Sequence, residues 1–385
     1  MKTYKLFYVL LVILSFSCSK SDNGQDDDDN NPINNPSVEA DYTVVTSQNG
    51  VLSANLFNAN LEVITTNPQA SDFTNVIAPS HTFREGMELS YFRKNADCSG
   101  TLSKFNFSTE ATEEFTVLDD MLNCDLTVSA VAHNGDMYFI SYTIPATMTN
   151  PESYAIRVID ATLDDLSFVD VPIEQEPLSL RFSDDRLFIL TQDAAENNMN
   201  ALYVLDTNTN TLIIDFNLDF GVQQILKNTD GNILVSYDAL HLVVDKNTMD
   251  VVSTVRYLEG VEPEFASSDT HHFDAEGKLY YQRPSGVSDN SAHPSLPTIY
   301  DFATNTAFIY VYEQFLTEAQ RTLEFEVGDT STVSYDAKNN LLLIGYTKAD
   351  DPSKGGLFRL LLSTPQPEFI DNIDLDGVPT DIYVE

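Results

Sequence analysis

Six histidines, three cysteines and a large excess of carboxylates are the residues of this 385-residue sequence whose types could do chemistry. His271 and His272 adjoin in a stretch that reads as a strand, where side chains alternate faces, so only one of the two can point inward. His81 falls on the corresponding strand of another repeat unit, which makes His81 and His271 candidates for a shared ligand or metal site. The plainer reading makes them ordinary strand histidines. His133 reads as a turn residue, His241 as part of an outer hairpin and His293 as part of an insert, and the six together show no familiar metal-ligand spacing.

Carboxylates gather where one repeat unit passes to the next: Glu174 and Glu176, Glu262 and Glu264, then Glu324, Glu326 and Asp329. Oxygen ligands in that number suit calcium or a cationic group. A solvated acidic rim is the plainer reading. The stretch "DNIDLDG", residues 371–377, looks like a calcium loop but lacks the downstream bidentate glutamate of an EF-hand. It reads more simply as a turn before the closing strand. No Gly-rich phosphate loop, G-x-S-x-G elbow or H-E-x-x-H motif occurs, and no other cofactor signature is evident.

The elements that must position these residues come from a repeat. Polar turns open into β-rich runs at "REGMELSYF", "HNGDMYFIS", "SDDRLFILT", "TDGNILVSY", "AEGKLYYQR" and "AKNNLLLIG". Gly86, Gly135, Asp185, Gly231, Gly277 and Asn339 mark equivalent points, spaced 49, 50, 46, 46 and 62 residues apart. A second hairpin, as in "LYVLDTNTNTLIIDFNL", completes four antiparallel strands per unit. Four short strands in about 40–50 residues is the signature of a propeller blade.

Six complete units begin near Ala78, Leu126, Pro177, Val222, Ser268 and Ser331. "DYTVVTSQNGVLSANLFNANLEVITT" supplies three more strands, and "GVPTDIYVE" supplies one that matches the first strand of a unit. Joined, they make a seventh blade and leave no open edge. The expected fold is therefore an all-β, seven-bladed β-propeller over residues 41–385, its ring closed by the C-terminal strand joining the N-terminal blade. The long sixth unit carries an insert, "PSGVSDNSAHPSLP", and a helix-like piece, "EQFLTEAQRT". The pattern resembles the bacterial propeller class that includes YVTN-type, quinoprotein-like and NHL-like proteins. The sequence holds no tryptophan, so nothing supports a WD40 assignment.

Charge narrows the function classes. Against 59 Asp and Glu stand 20 Lys and Arg, a formal net charge of -39. Outside the first 30 residues 54 acids still face 17 bases, so the acidity belongs to the folded part. Binding nucleic acid by neutralising phosphates is excluded. A highly soluble surface, or one that attracts cations, is what this balance favours.

The start of the chain, "MKTYKLFYVLLVILSFSC", carries Lys2 and Lys5, then an apolar run from Leu6 to Leu14, then small residues before Cys18. That is the layout of a secretory leader, and the apolar run is too short to span a bilayer. The placement of Cys18 resembles the lipobox of bacterial lipoproteins, although Ser15 stands where the usual motif has Leu, Val or Ile. The resemblance implies a signal peptide over residues 1–17 and a lipid on Cys18. Residues 18–40 then form an acidic tether of low sequence order. An exported chain meets an oxidising compartment, where Cys98 and Cys124 can bridge. Such a bridge, closing 26 residues, would contribute about 3 kcal/mol. Neither residue sits in a nucleophile setting.

The acidic run after Cys18, Asp22 and Asp26 to Asp29, resembles the export stretch of surface lipoproteins of the Bacteroidota. That implies an outer-membrane protein facing the exterior; a periplasmic orientation is the alternative. The implied function is a non-catalytic binding module for a small molecule, a glycan or an envelope protein, serving nutrient uptake beside a TonB-dependent transporter. One alternative is a propeller lactonase, lyase or glycosidase using a divalent metal at the channel mouth. The other is a structural docking protein of an envelope complex.

Overall fold

Turn chemistry starts each blade. Asn49 and Gly50 both adopt positive φ, 53° and 78°, between the paired residues Gln48 and Val51. Two left-handed residues in a two-residue loop match the twist of the strands they join. Gly86, Gly135 and Asp184 repeat the left-handed geometry at three later turns.

The computed structural model describes residues 40–385 except 66–68, 122, 163–165, 259–261, 269 and 364–365. The chain divides into two units, 1–36 and 37–385, and every described residue belongs to the second. Cys18, the leader and all of the tether up to residue 39 lie outside the described residues. Among the described residues no helix is long and apolar enough to cross a membrane.

Seven antiparallel sheets form the seven blades of a β-propeller. Their innermost strands are Val378–Val384 in blade 1, His81–Glu85 in blade 2, Thr127–Asn134 in blade 3 and Glu176–Ser183 in blade 4. Val222–Lys227, His272–Phe273 and Val327–Asp336 serve blades 5, 6 and 7. Blade 1 is assembled from both ends of the ring: Val378–Val384 pairs with Tyr42–Gln48, from Tyr42 opposite Val384 to Ser47 opposite Val378. Among the described residues its outer edge is two short pieces, Gln69–Ala70 and Val76–Ile77, both pairing with Val51–Phe57.

Second strands carry apolar residues on both faces of their central stretch because both faces of a blade pack against neighbours. Tyr138, Phe139 and Ile140 in blade 3, and Leu187 to Leu190 in blade 4, are all buried. Apolar clusters fill the gaps between successive blades all round the ring, including those either side of blade 1. Stacked rings reinforce two of these joints: Phe139 on Phe182 at 5.8 Å and Tyr280 on Tyr335 at 4.8 Å.

One charged clamp recurs within the repeat. Arg157 and Arg359 each stand fifth in the third strand of their blade, opposite Asp170 and Asp371 on the outer strand. Each guanidinium donates through Nε at 2.8 Å to its aspartate. Two parallel charge-assisted bonds of this kind hold strand to strand more firmly than neutral pairs. Asp371 is thereby committed to the outer strand Glu368–Leu375, so "DNIDLDG" is mostly strand and not a cation loop. One other reading is corrected. His133 lies in the inner strand of blade 3, fully buried, and not in a turn. "EQFLTEAQRT" falls across a one-turn helix, Tyr312–Phe315, and a π-helical turn, Gln320–Glu324.

The closing strand approaches blade 7 over glycine. A Cβ on Gly345 would lie 2.8 Å from Cβ of Pro379 and 2.7 Å from Thr332 Cγ2, and one on Gly355 would meet the Tyr346 carbonyl oxygen. Overpacking such a contact costs about 3 kcal/mol at its upper range. Gly345→Val should therefore lower the unfolding free energy by about that amount, measured as a fall in urea midpoint with unchanged slope.

Candidate functional site

Inner strands converge on the channel, and their last residues line a cavity of about 760 Å³. The cavity opens at the end where first strands turn into second strands, because the turn residues Gly86, Asp184, Gly231 and Ala275 form its rim. The crossovers between blades lie at the opposite end of the strands.

That placement separates the acids expected at the mouth from the cavity itself. Glu174, Glu176, Glu262, Glu264, Glu326 and Asp329 belong to crossovers or to the first residues of inner strands, and none lines the cavity. Asp329 instead accepts from the Ser295 backbone at 2.9 Å and from its hydroxyl at 2.5 Å, bracing blade 6 against blade 7. The Glu326 carbonyl accepts from Ala349 N at 2.6 Å. His81 starts the inner strand of blade 2; burial lowers its pKa, against a bond with the Val128 backbone. His271 is the one residue of the expected set that lines the cavity, and His272 lines it too: the strand begins only at His272, so alternation does not turn either histidine away as expected. Among the described residues no group of three His, Cys, Asp or Glu side chains is placed to hold a metal ion.

Cys98 and Cys124 are joined as a disulfide with Cα atoms 4.7 Å apart. The bond ties the loop between the second and third strands of blade 2 to the crossover into blade 3. Lys94 donates to the carbonyls of Cys124 and Leu126 at 2.5 and 2.7 Å, holding the same crossover. This restrained rim is on the far side from the cavity.

Across the channel, Arg84 of blade 2, Asp381 of blade 1 and His272 of blade 6 form one network. Arg84 Nη1 donates to Asp381 Oδ1 at 2.5 Å and to the Ile382 carbonyl at 3.1 Å, and lies 2.7 Å from His272 Nδ1. His272 Nε2 is 3.1 Å from Asp381 Oδ1. A guanidinium has no lone pair to offer, so Nδ1 is the acceptor and Nε2 carries the proton that faces Asp381. Burial would raise the Asp381 carboxyl, but Arg84 and His272 outweigh it and hold it at about 2. Burial and the Arg84 charge push His272 down, against the pull of Asp381. The guanidinium also stacks 3.8 Å over the Tyr383 ring, a cation–π contact that fixes it in the channel.

The second layer is Arg181, Lys227, Lys246 and His271. Lys227 pairs with Glu85 at 2.5 Å and Lys246 with Asp184 at 2.9 Å. Arg181 Nη1 donates to the Leu180 carbonyl at 2.7 Å. Burial brings its pKa down to about 10, with Glu85 opposing. Burial likewise holds His271 at about 3, against a bond with the Phe265 carbonyl, whose oxygen lies 2.9 Å from Nε2. Four bases and five acids line the cavity, against 20 and 59 in the whole chain. The channel is thus far less acidic than the rest of the molecule. Sequence reasoning missed Arg84, Arg181 and Lys227. Their signal was that scarce bases fall within the last three residues of three inner strands.

Ser90, His133 and Glu88 have the connectivity of a hydrolase triad, with Ser90 Oγ 2.6 Å from His133 Nδ1 and His133 Nε2 3.2 Å from Glu88. Ser90 is 0% exposed, sealed between blades 2 and 3. A nucleophile must reach its substrate, so this trio is a satisfied core network.

No protein-family model matches the chain, and no curated protein matches it. Among solved structures it is similar to a puromycin hydrolase, at 11% identity and a TM-score of 0.49, covering 90% of this chain and 55% of that one. An acylaminoacyl peptidase in complex with Z-Gly-Gly-Phe-chloromethyl ketone gives 9% identity and a TM-score of 0.47, covering 86% and 52%. The β-propeller domain of the Trilobed protease from Pyrococcus furiosus gives 13% identity and a TM-score of 0.39, covering 76% and 97%. The chain spans about half the length of the first two. Likeness at this level carries no argument about activity.

Replacing Asp381 by Asn leaves Arg84 without its carboxylate. Because both side chains keep some solvent contact, the loss at pH 7 should be about 2 kcal/mol. A carboxyl held below its ordinary value stabilises above pH 3.8 and loses that contribution as pH falls toward 2. Urea unfolding across that window should show a smaller pH-dependent drop in D381N than in the parent.

Proposed function

We propose that this chain is a cell-envelope lipoprotein whose propeller is a non-catalytic capture module, taking a small polar ligand into the channel cavity. The cavity carries this reading. Its volume of about 760 Å³ lies within the range of small-molecule sites, and rigid inner strands of several blades supply its polar groups. Against burial, Arg84 and His272 hold Asp381 low, at about 2, while burial pushes His271 down to about 3 and His272 below its ordinary value. Acid–base catalysis favours a group poised near the working pH; fixed donors and acceptors favour recognition.

The address rests on the sequence. The resemblance of the leader to a lipoprotein signal, with Cys18 as the lipidated residue, supports an outer-membrane anchor, and the acidic stretch after it supports an outward orientation. A capture module so tethered would pass its ligand to an envelope partner such as a TonB-dependent transporter.

Equilibrium dialysis of the purified protein against an extract of its growth medium tests capture. A small molecule should concentrate with the protein and come back chemically unchanged after denaturation. Recovery of a converted product would make the chain an enzyme, and no enrichment would remove the reading. For the anchor, Cys18→Ala should move the protein from membrane to soluble fractions; retention in the membrane fraction would remove the lipid from the account.

A further inference from the structure

We propose that the channel ligand is a hydroxylated monocarboxylate, a sugar acid by class, whose carboxylate docks on Arg181 and one of whose hydroxyls donates to His271. The proposal rests on the capture reading and names the ligand chemistry of the same cavity.

Arg181 differs from the other cations lining the cavity. Arg84, Lys227 and Lys246 each hold a carboxylate at 2.5, 2.5 and 2.9 Å. Arg181 has only the carbonyl of its own neighbour, Leu180. Among the described residues no carboxylate comes within 4.0 Å of its guanidinium nitrogens. Its Nε and Nη2 are not among the buried polar atoms sealed without a partner, so in a cavity-lining side chain they remain open to a solute. In a chain with 59 acids, a half-buried guanidinium that pairs with none of the described ones is unfavourable unless something else supplies the anion. A guanidinium edge presents parallel N–H donors that match one carboxylate.

The count of charges sets the valence. Among the described residues Glu85, Asp184 and Asp381 are matched by Lys227, Lys246 and Arg84, while Asp230 and Asp274 pair with no cation and leave the cavity one formal negative charge in excess, so only the free edge of Arg181 can receive an anion. A phosphate dianion would meet that ring of carboxylates with a single cation to offset it. A monocarboxylate balances Arg181 alone. His271 supplies the second recognition element: with Nε2 2.9 Å from the Phe265 carbonyl, the proton sits on Nε2 and Nδ1 is left as an acceptor. Gln224 closes on the same Nε2 edge at 3.3 Å. Among the described residues Nδ1 has no partner, and it is not sealed from the channel, so it suits a hydroxyl on the same ligand.

Nitrogen-15 spectra of the arginine Nε–Hε groups, recorded on the purified full chain, test this directly with acetate, gluconate and glucuronate against glucose. The three carboxylates should move one Nε–Hε signal saturably, the hydroxylated two more tightly than acetate, and that signal should be missing from Arg181→Gln. The variant should bind glucuronate at least tenfold more weakly while its Tm stays level or rises, whereas a merely structural arginine would lower Tm on removal. Silence of the Arg181 signal toward every carboxylate, or unchanged glucuronate affinity in R181Q, overturns the proposal. If glucose or a neutral solute from the medium fills the channel while that signal stays still, the sugar-acid assignment falls and the capture reading stands. If nothing perturbs any channel residue, both fall.

Discussion

Blade 1 is the constraint on which the rest of this molecule depends. A four-stranded sheet with two apolar faces has no stable existence in water until both are covered, and in a ring every cover is supplied by a neighbour. The pairing of Val378–Val384 with Tyr42–Gln48 is what lets blades 7 and 2 bury their last faces. The same strand brings Asp381 into the channel, where it meets Arg84 from the next blade and His272 from across the ring. Ring closure and the assembly of the polar channel are therefore one event.

Electrostatics divides the protein into two regimes. The outside carries most of the surplus acid, whose mutual repulsion favours solubility and works against compaction. Inside, charges appear in matched sets: Arg157 between Asp120 and Asp170, Arg359 with Asp371. Removing one member of such a set leaves a buried charge uncompensated. Arg181 breaks that pattern inside the cavity, and such departures from local consistency concentrate where proteins bind.

The fold was legible in the sequence because it rests on repetition. Turn residues such as Gly86, Gly135 and Gly231, each followed by an aromatic or branched run, recur at nearly constant spacing, and the orphan last strand matches the first strand of a unit. The site was not legible for a related reason. Acids at crossovers were easy to see but sit at the wrong end of the strands, while the cavity-lining bases belong to different blades and share no motif. Arg84 and Asp381 are almost 300 residues apart, and only the ring brings them within bonding distance. His133 reads as a turn residue because it stands just before Asn134 and Gly135, yet it is the register with the second strand, Tyr138 opposite His133, that buries it.

The position of Tyr42–Gln48 has a mechanical meaning. This strand is not at an edge: it has the closing strand on one side and Val51–Phe57 on the other. A pull directed along the axis of this strand would have to slide both ladders as wholes instead of opening one bond at a time. The blade that joins the ends of the ring would then be loaded in shear, and force along that axis would be shared by both ladders at once.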